Sequence, residues 1–201
     1  VVGTLIVAII KYFSGDVSLA IVLMFRYLFC LPILLVIGLT IGGRQYFKIK
    51  NKKIMSLRSI AGLFGLLFWY LSVIHLDISK ALALSQVMPI FICLLSIMFL
   101  GEKVGVFRWT AILIGLSGAV IIINPDPQNW YNIGILYIFL GTLFASIMFV
   151  ALRRLGMTEN PVATAFWYNV FGSTVFSVYC LSFLTIYEIS LHIWVMLIII
   201  G

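Results

Sequence analysis

Charge is scarce in this sequence, and acid scarcer still: Asp, Glu, Lys and Arg make up 9% of it, and only six residues are acidic. Against 64% hydrophobic residues and a mean hydropathy of +1.22, so few charges exclude an ordinary soluble domain. No polar stretch is long enough to build a separate water-soluble domain. Histidine is nearly absent, with two copies and no His-Glu-x-x-His pair to hold a zinc ion. No pair of carboxylates lies within an apolar run to share acid–base work. The glycines form no phosphate cradle, so ATP-driven chemistry is not indicated. The three cysteines, Cys30, Cys93 and Cys180, each sit in an apolar run without metal-ligand spacing, and an odd count gives no disulfide framework. They read as packing residues. The sequence therefore points away from an enzyme, and no metal or cofactor is expected.

What it has instead is long apolar runs, in number enough for seven membrane spans and part of an eighth. Span 1 runs from Val1 to about Phe13, shorter than the roughly 20 residues a crossing needs. Span 2 covers about Leu19–Ile41, span 3 Leu57–Leu76, span 4 Ala81–Leu100 and span 5 Trp109–Ile123. Span 6 covers about Ile133–Leu152, and span 7 begins at Pro161, a favoured first-turn residue, and reaches about Tyr187. Leu191–Gly201 opens span 8 and stops part-way. A first residue other than Met and a last run cut short suggest a piece of a longer chain.

The basic residues sort by side. The net charge of +7 does not indicate nucleic acid, because the positive residues cluster in short links between apolar runs. Of 13 Lys and Arg, ten lie in or beside the links after spans 2, 4 and 6: Arg44, Lys48, Lys50, Lys52, Lys53, Arg58, Lys103, Arg108, Arg153 and Arg154. Asp16, Asp77, Asp126 and Glu188 lie on the other side. The positive-inside rule places the basic links and the N-terminus in the cytoplasm.

Span 4 is the candidate site wall. It carries no charge from Ala81 to Leu100, and Pro89 near its middle removes a backbone hydrogen bond and is expected to bend the helix. Ser85, Gln86, Pro89, Cys93 and Ser96 fall on one helical stripe against Leu, Ile, Met and Phe elsewhere. Arg26 lies about 10 Å into span 2 by helix rise. It reads either as a cation facing a cavity or as an anchor whose side chain snorkels to the interface. Lys11, nearer the outer end of span 1, carries the same two readings, with snorkelling the stronger. No acid within a span neutralises this pair, which favours a small-molecule substrate bearing a carboxylate or other anionic group. Arg58, Gly62, Gly65, Trp69 and Ser72 share one face of span 3, either lining a cavity with Trp69 or packing helices through the glycines. Gly115 and Gly118 read as packing positions.

Gly3-Thr4-Leu5 in span 1 recurs as Gly141-Thr142-Leu143 in span 6, and Ile9 matches Ile147. With a four-residue insertion, Phe25-Arg26-Tyr27 falls opposite Trp167-Tyr168-Asn169. Five spans per copy is an odd number, so the second copy would enter inverted. Over about 115 residues the order of short motifs is similar to the EamA family of the drug/metabolite transporter superfamily. The residues are Lys11, Arg26 in Phe-Arg-Tyr-Leu, Arg58-Ser59-Ile60-Ala61-Gly62, Ala81–Phe91 with Gln86 and Pro89, Gly101-Glu102-Lys103, Arg108-Trp109, and Gly115–Gly118 through Asn124-Pro125. The second copy matches less fully, through Glu159-Asn160-Pro161 and Trp167-Tyr168.

The resemblance implies an all-α polytopic membrane protein, a helical bundle of inverted five-helix repeats, of which this sequence holds about seven and a half of ten helices. Residues 1–124 would form the first repeat and 132–201 the start of the second. It implies a secondary transporter of a small organic metabolite in a bacterial inner membrane. A channel-like pore and a non-transporting scaffold or chaperone are the alternatives. The expected substrate-binding residues are Arg26, Trp69, Ser85, Gln86, Pro89 and Lys11.

Overall fold

The computed structural model describes residues 19–101, 105–123 and 132–183. Among these, every regular element is helical: α1 (Leu19–Gly42), a 3-10 turn (Gly43–Phe47), α2 (Lys52–His75), α3 (Ile78–Ser85), α4 (Met88–Leu100), α5 (Val106–Ile123), α6 (Ile133–Leu155) and α7 (Pro161–Phe183). Four stretches are long and apolar enough to cross a bilayer: Ala20–Gly42, Lys52–His75, Ile78–Leu100 and Ile133–Leu155. A helix satisfies its backbone groups internally, which hydrocarbon demands of a lone spanning segment. The chain is an all-α polytopic membrane protein.

Spans 2, 5 and 6 correspond to α1, α5 and α6 within a few residues. Spans 1 and 8 lie outside the described residues, as do Lys11, Asp16, Glu102, Lys103 and the Asn124–Asp126 turn. Span 7 is α7 as far as Phe183, with residues 184–187 outside the described range. It is not among the four apolar stretches because Tyr, Asn, Ser and Thr dilute it. Those polar groups bond back to their own helix: Thr164 Oγ1 to the Pro161 carbonyl, Asn169 Nδ2 to Ala165, and Ser173 and Thr174 to Val170.

Two expectations need correction. Span 3 starts at Lys52, five residues before the expected Leu57. The Glu159 carboxylate accepts the backbone N–H of Lys50 at 3.1 Å and of Asn51 at 2.8 Å, and the Asn51 carbonyl accepts the Met55 N–H. These bonds satisfy donors ahead of the first turn, so the helix begins among lysines where no apolar residue marks it. Span 4 is not one bent helix but two, α3 and α4, separated at Gln86-Val87.

The described chain forms two compact units. One comprises 19–59 and 155–183, the other 60–101, 105–123 and 132–154. In the first, α1 packs on α7 through Tyr27, whose ring stacks on Phe176 at 6.0 Å and meets Tyr168 edge-on at 5.4 Å. The turn after α1 inserts Phe47 against Phe166 at 4.7 Å, and the Trp167 indole N–H donates to the Phe47 carbonyl at 2.7 Å. In the second unit, α2 and α6 approach closely at Gly65 and Gly141. A Cβ on Gly65 would lie 2.9 Å from the Ala145 nitrogen, and one on Gly141 3.1 Å from the Trp69 nitrogen. Phe64, Phe68, Phe144 and Tyr137 stack beside this seam at 5.5–6.3 Å. Gly65 thus serves helix packing. Gly115 and Gly118 meet open space among the described residues, so packing at those two is not observed. Met98, Phe99, Ile114 and Ile121 are strongly exposed, which a lipid solvent accommodates.

Candidate functional site

The break between α3 and α4 follows from Pro89, the second residue of α4. Proline has no N–H to give the Ser85 carbonyl, while its fixed φ suits the first turn of a new helix. At the break the bonds tighten to a three-residue step: Gln86 N–H to the Ala83 carbonyl at 3.1 Å, Val87 to Leu84 at 3.2 Å, and Ile90 to Val87 at 3.0 Å. Among the described residues no backbone bond reaches the carbonyl of Ser85 or Gln86. The Ser146 hydroxyl from α6, fully buried, lies 2.6 Å from the Thr142 carbonyl and 3.3 Å from the Met88 carbonyl just past the break.

Helix α6 therefore touches both parts of the expected wall. Gly141 sits on the backbone of Trp69, and Ser146, about 7.5 Å further along by helix rise, reaches the broken span. Gln86 and Pro89 are exposed and Ser85 half-buried, while Cys93 and Ser96 lower on the stripe are buried. The Ser85 hydroxyl donates to the Leu82 carbonyl at 2.6 Å, so its own backbone oxygen is the more available group. Trp69 is half-buried, and among the described residues no ring contact or hydrogen bond engages its indole. The Ser96 hydroxyl is 2% exposed and unpartnered. Trp69, Ser85, Gln86 and Pro89 thus belong to one unit and share α6 as a neighbour or lie beside its contacts. Arg26 lies half-buried on α1 in the other unit, and among the described residues no ion pair reaches it.

Two features escaped the expected site. Arg58, on α2, is 7% exposed, with Nη1 donating to the Thr164 carbonyl at 2.8 Å and Cζ 4.7 Å from the centre of the Tyr168 ring. The Tyr27 and Tyr168 hydroxyls are 2.9 Å apart beside it. Glu159, 8% exposed, borders a cleft of about 310 Å³ lined also by Gln45, Tyr46, Lys48, Lys50 and Asn160. A signal for Glu159 existed: it is one of few acids among links that are otherwise basic. None pointed to Ser146, whose partner is a backbone atom 58 residues away.

The broken span offers carbonyl acceptors and an amide side chain, groups able to hydrogen-bond a small molecule. The EamA-like transporter family profile matches residues 2–124, well over half of the chain. The chain belongs to the EamA-like transporter family. It is similar to the pseudopaline exporter of Pseudomonas aeruginosa, with 25% identity over 118 residues covering 59% of this chain and 42% of that protein. It is 34% identical to the riboflavin transporter of Rhizobium johnstonii over 108 residues, covering 53% and 34%. It is 24% identical to the S-adenosylmethionine uptake transporter of Rickettsia bellii over 165 residues, covering 82% and 56%. The chain spans about half or less of the length of these relatives. A solved crystal structure superposes with a TM-score of 0.67 at 15% identity, over 100% of this chain and 72% of that one, a likeness of fold alone.

Proposed function

We propose that the full protein is a secondary carrier that moves a small organic metabolite by alternating access, with substrate held at the break between α3 and α4. The open Ser85 and Gln86 carbonyls carry this reading, because an unwound stretch of a spanning helix is where carriers present backbone groups to cargo. Family membership supports it, as do relatives named for exporting or importing pseudopaline, riboflavin and S-adenosylmethionine. Gln86 supplies a donor and an acceptor, and Trp69 an apolar face. Arg26 and Lys11 draw an anionic group of the substrate towards the site. On this reading residues 1–124 form one repeat and 132–201 the start of a second, related to the first by inversion.

The test is uptake into vesicles by the full-length protein, using labelled S-adenosylmethionine, riboflavin, amino acids and organic acids. Saturable flux of at least one compound is expected. Flux that does not saturate indicates a channel, and no flux with any compound a scaffold. For the compound transported, Gln86→Ala and Trp69→Ala should each raise apparent KM by about tenfold or abolish flux, at unchanged membrane abundance. Normal transport by Arg26→Ala would reduce Arg26 to a snorkelling anchor.

The same reading places the N-terminus and the 42–55 link in the cytoplasm of a bacterial inner membrane. Asn51→Cys and Gln128→Cys, made singly, should react with an impermeant thiol reagent from opposite sides. Labelling from one side only would sink this topology.

A further inference from the structure

We propose that Arg58 binds a two-oxygen anionic group, a carboxylate or a phosphate, on the Nε edge of its guanidinium, with the Tyr168 ring as the platform behind it. Arg58 is the seventh residue of α2, about 9 Å from the helix start by helix rise, and is almost wholly buried. Nη1 is occupied by the Thr164 carbonyl, but Nε is buried without a hydrogen-bond partner. Among the described residues Lys80–Asp77 is the ion pair formed, and no carboxylate pairs with Arg58. Glu159, the acid described in the same unit, is engaged by the backbone of Lys50 and Asn51.

A cation withdrawn from water within an apolar helix is costly unless something compensates it. Two compensations are present, the Thr164 carbonyl and the Tyr168 π face, and both leave the net charge unbalanced. The unused edge of a guanidinium presents Nε–H and a neighbouring Nη–H as parallel donors, spaced to meet two oxygens of one anion. The Tyr27–Tyr168 hydroxyl pair adds polar groups on the aromatic side. Mono-anionic groups with two adjacent oxygens fit this edge, whereas a neutral carbonyl would leave the charge uncompensated. The inference goes beyond the carrier reading, and it rests on that reading only for the role of binding in transport.

Thermal unfolding of the purified, delipidated full-length protein tests it, with sodium acetate and inorganic phosphate as probes against sodium chloride at equal ionic strength. Acetate, phosphate or both should raise the wild-type Tm by several degrees above chloride, and the more effective anion identifies the group that Arg58 binds. Arg58→Lys keeps the charge without the fork and should retain less than half of the shift; Arg58→Met should show none. Arg58→Met should also unfold no lower than wild type in chloride, because it removes an uncompensated buried charge. A mere brace between α2 and α7 predicts a lower Tm for Arg58→Met and no anion effect. Absence of a wild-type shift, or an equal shift in Arg58→Met, overturns the proposal. If Arg58→Met does not fold, an undiminished shift in Arg58→Lys overturns it instead. An Arg58-dependent shift in a protein that transports nothing would sink the carrier reading and leave this site standing.

Discussion

Gly65→Val should leave almost no folded protein, measured as the monodisperse fraction after solubilisation and by the loss of a cooperative melt. The cause is geometric. A first side-chain carbon at Gly65 would stand 2.9 Å from the backbone nitrogen of Ala145, closer than carbon and nitrogen tolerate. The atom it meets is main chain on a packed helix, so no rotamer change relieves the clash, and α2 and α6 must move apart. Separation strips contacts along the seam from Gly65 to Gly141 and unstacks Phe64 and Phe68 from Phe144. Overpacking a close seam costs about 1–3 kcal/mol and more where backbone must shift. In a membrane bundle, helix association leans on such close contacts because lipid supplies no hydrophobic drive between helices. Gly65→Ala should fall between valine and wild type. Gly115→Val is the control, since open space surrounds Gly115 among the described residues. A melt of Gly65→Val like that of the control would mean that the helices are not held at this seam.

Among the described residues, spans 2, 4 and 6 were legible because hydrocarbon imposes a run length that few other constraints mimic. The ends were less so. Apolarity marks where a helix enters lipid, not where its hydrogen bonds start, and α2 begins among Lys52 and Lys53 because Glu159 engages the backbone ahead of it from 108 residues away. Pro89 announced a disruption in span 4, but a bend and a break differ in whether the neighbouring residues keep the four-residue step. Gln86 and Val87 abandon it, and Ser146 on another helix reaches the carbonyl beyond. Pairings of that kind leave no periodicity to read. Arg58 was visible as a cation beside a basic link and on the span 3 face shared with Trp69, but its burial was not, because it depends on Thr164 and Tyr168, which come from α7. Side chains that pair with distant backbone atoms are what one sequence hides, while the break set by a proline in a spanning helix is what it displays.

Pro89→Ala should reduce transport by at least about tenfold while leaving membrane abundance unchanged, a barrier change of about 1.4 kcal/mol. Alanine restores the N–H that proline lacks, and the carbonyl four residues earlier is that of Ser85, one of the two left open at the break. Once that bond forms, Gln86 and Val87 can return to the four-residue step and α3 runs into α4 without interruption. The groups proposed to meet substrate are then consumed by the helix itself. The melt separates this mechanism from a purely local one. At the second position of a helix, proline's missing N–H costs nothing, so replacing it gains little unless the two helices fuse. A raised Tm with lost transport therefore reports fusion, and an unchanged Tm with lost transport reports a change confined to the Ser85 carbonyl. Pro89→Gly provides the second comparison: glycine also restores the N–H but favours the helix by about 1 kcal/mol less than alanine. It should keep more of the break and more of the transport. If Pro89→Ala carries substrate at the wild-type rate and KM, the break is a tolerated irregularity and the site must be sought elsewhere in the bundle.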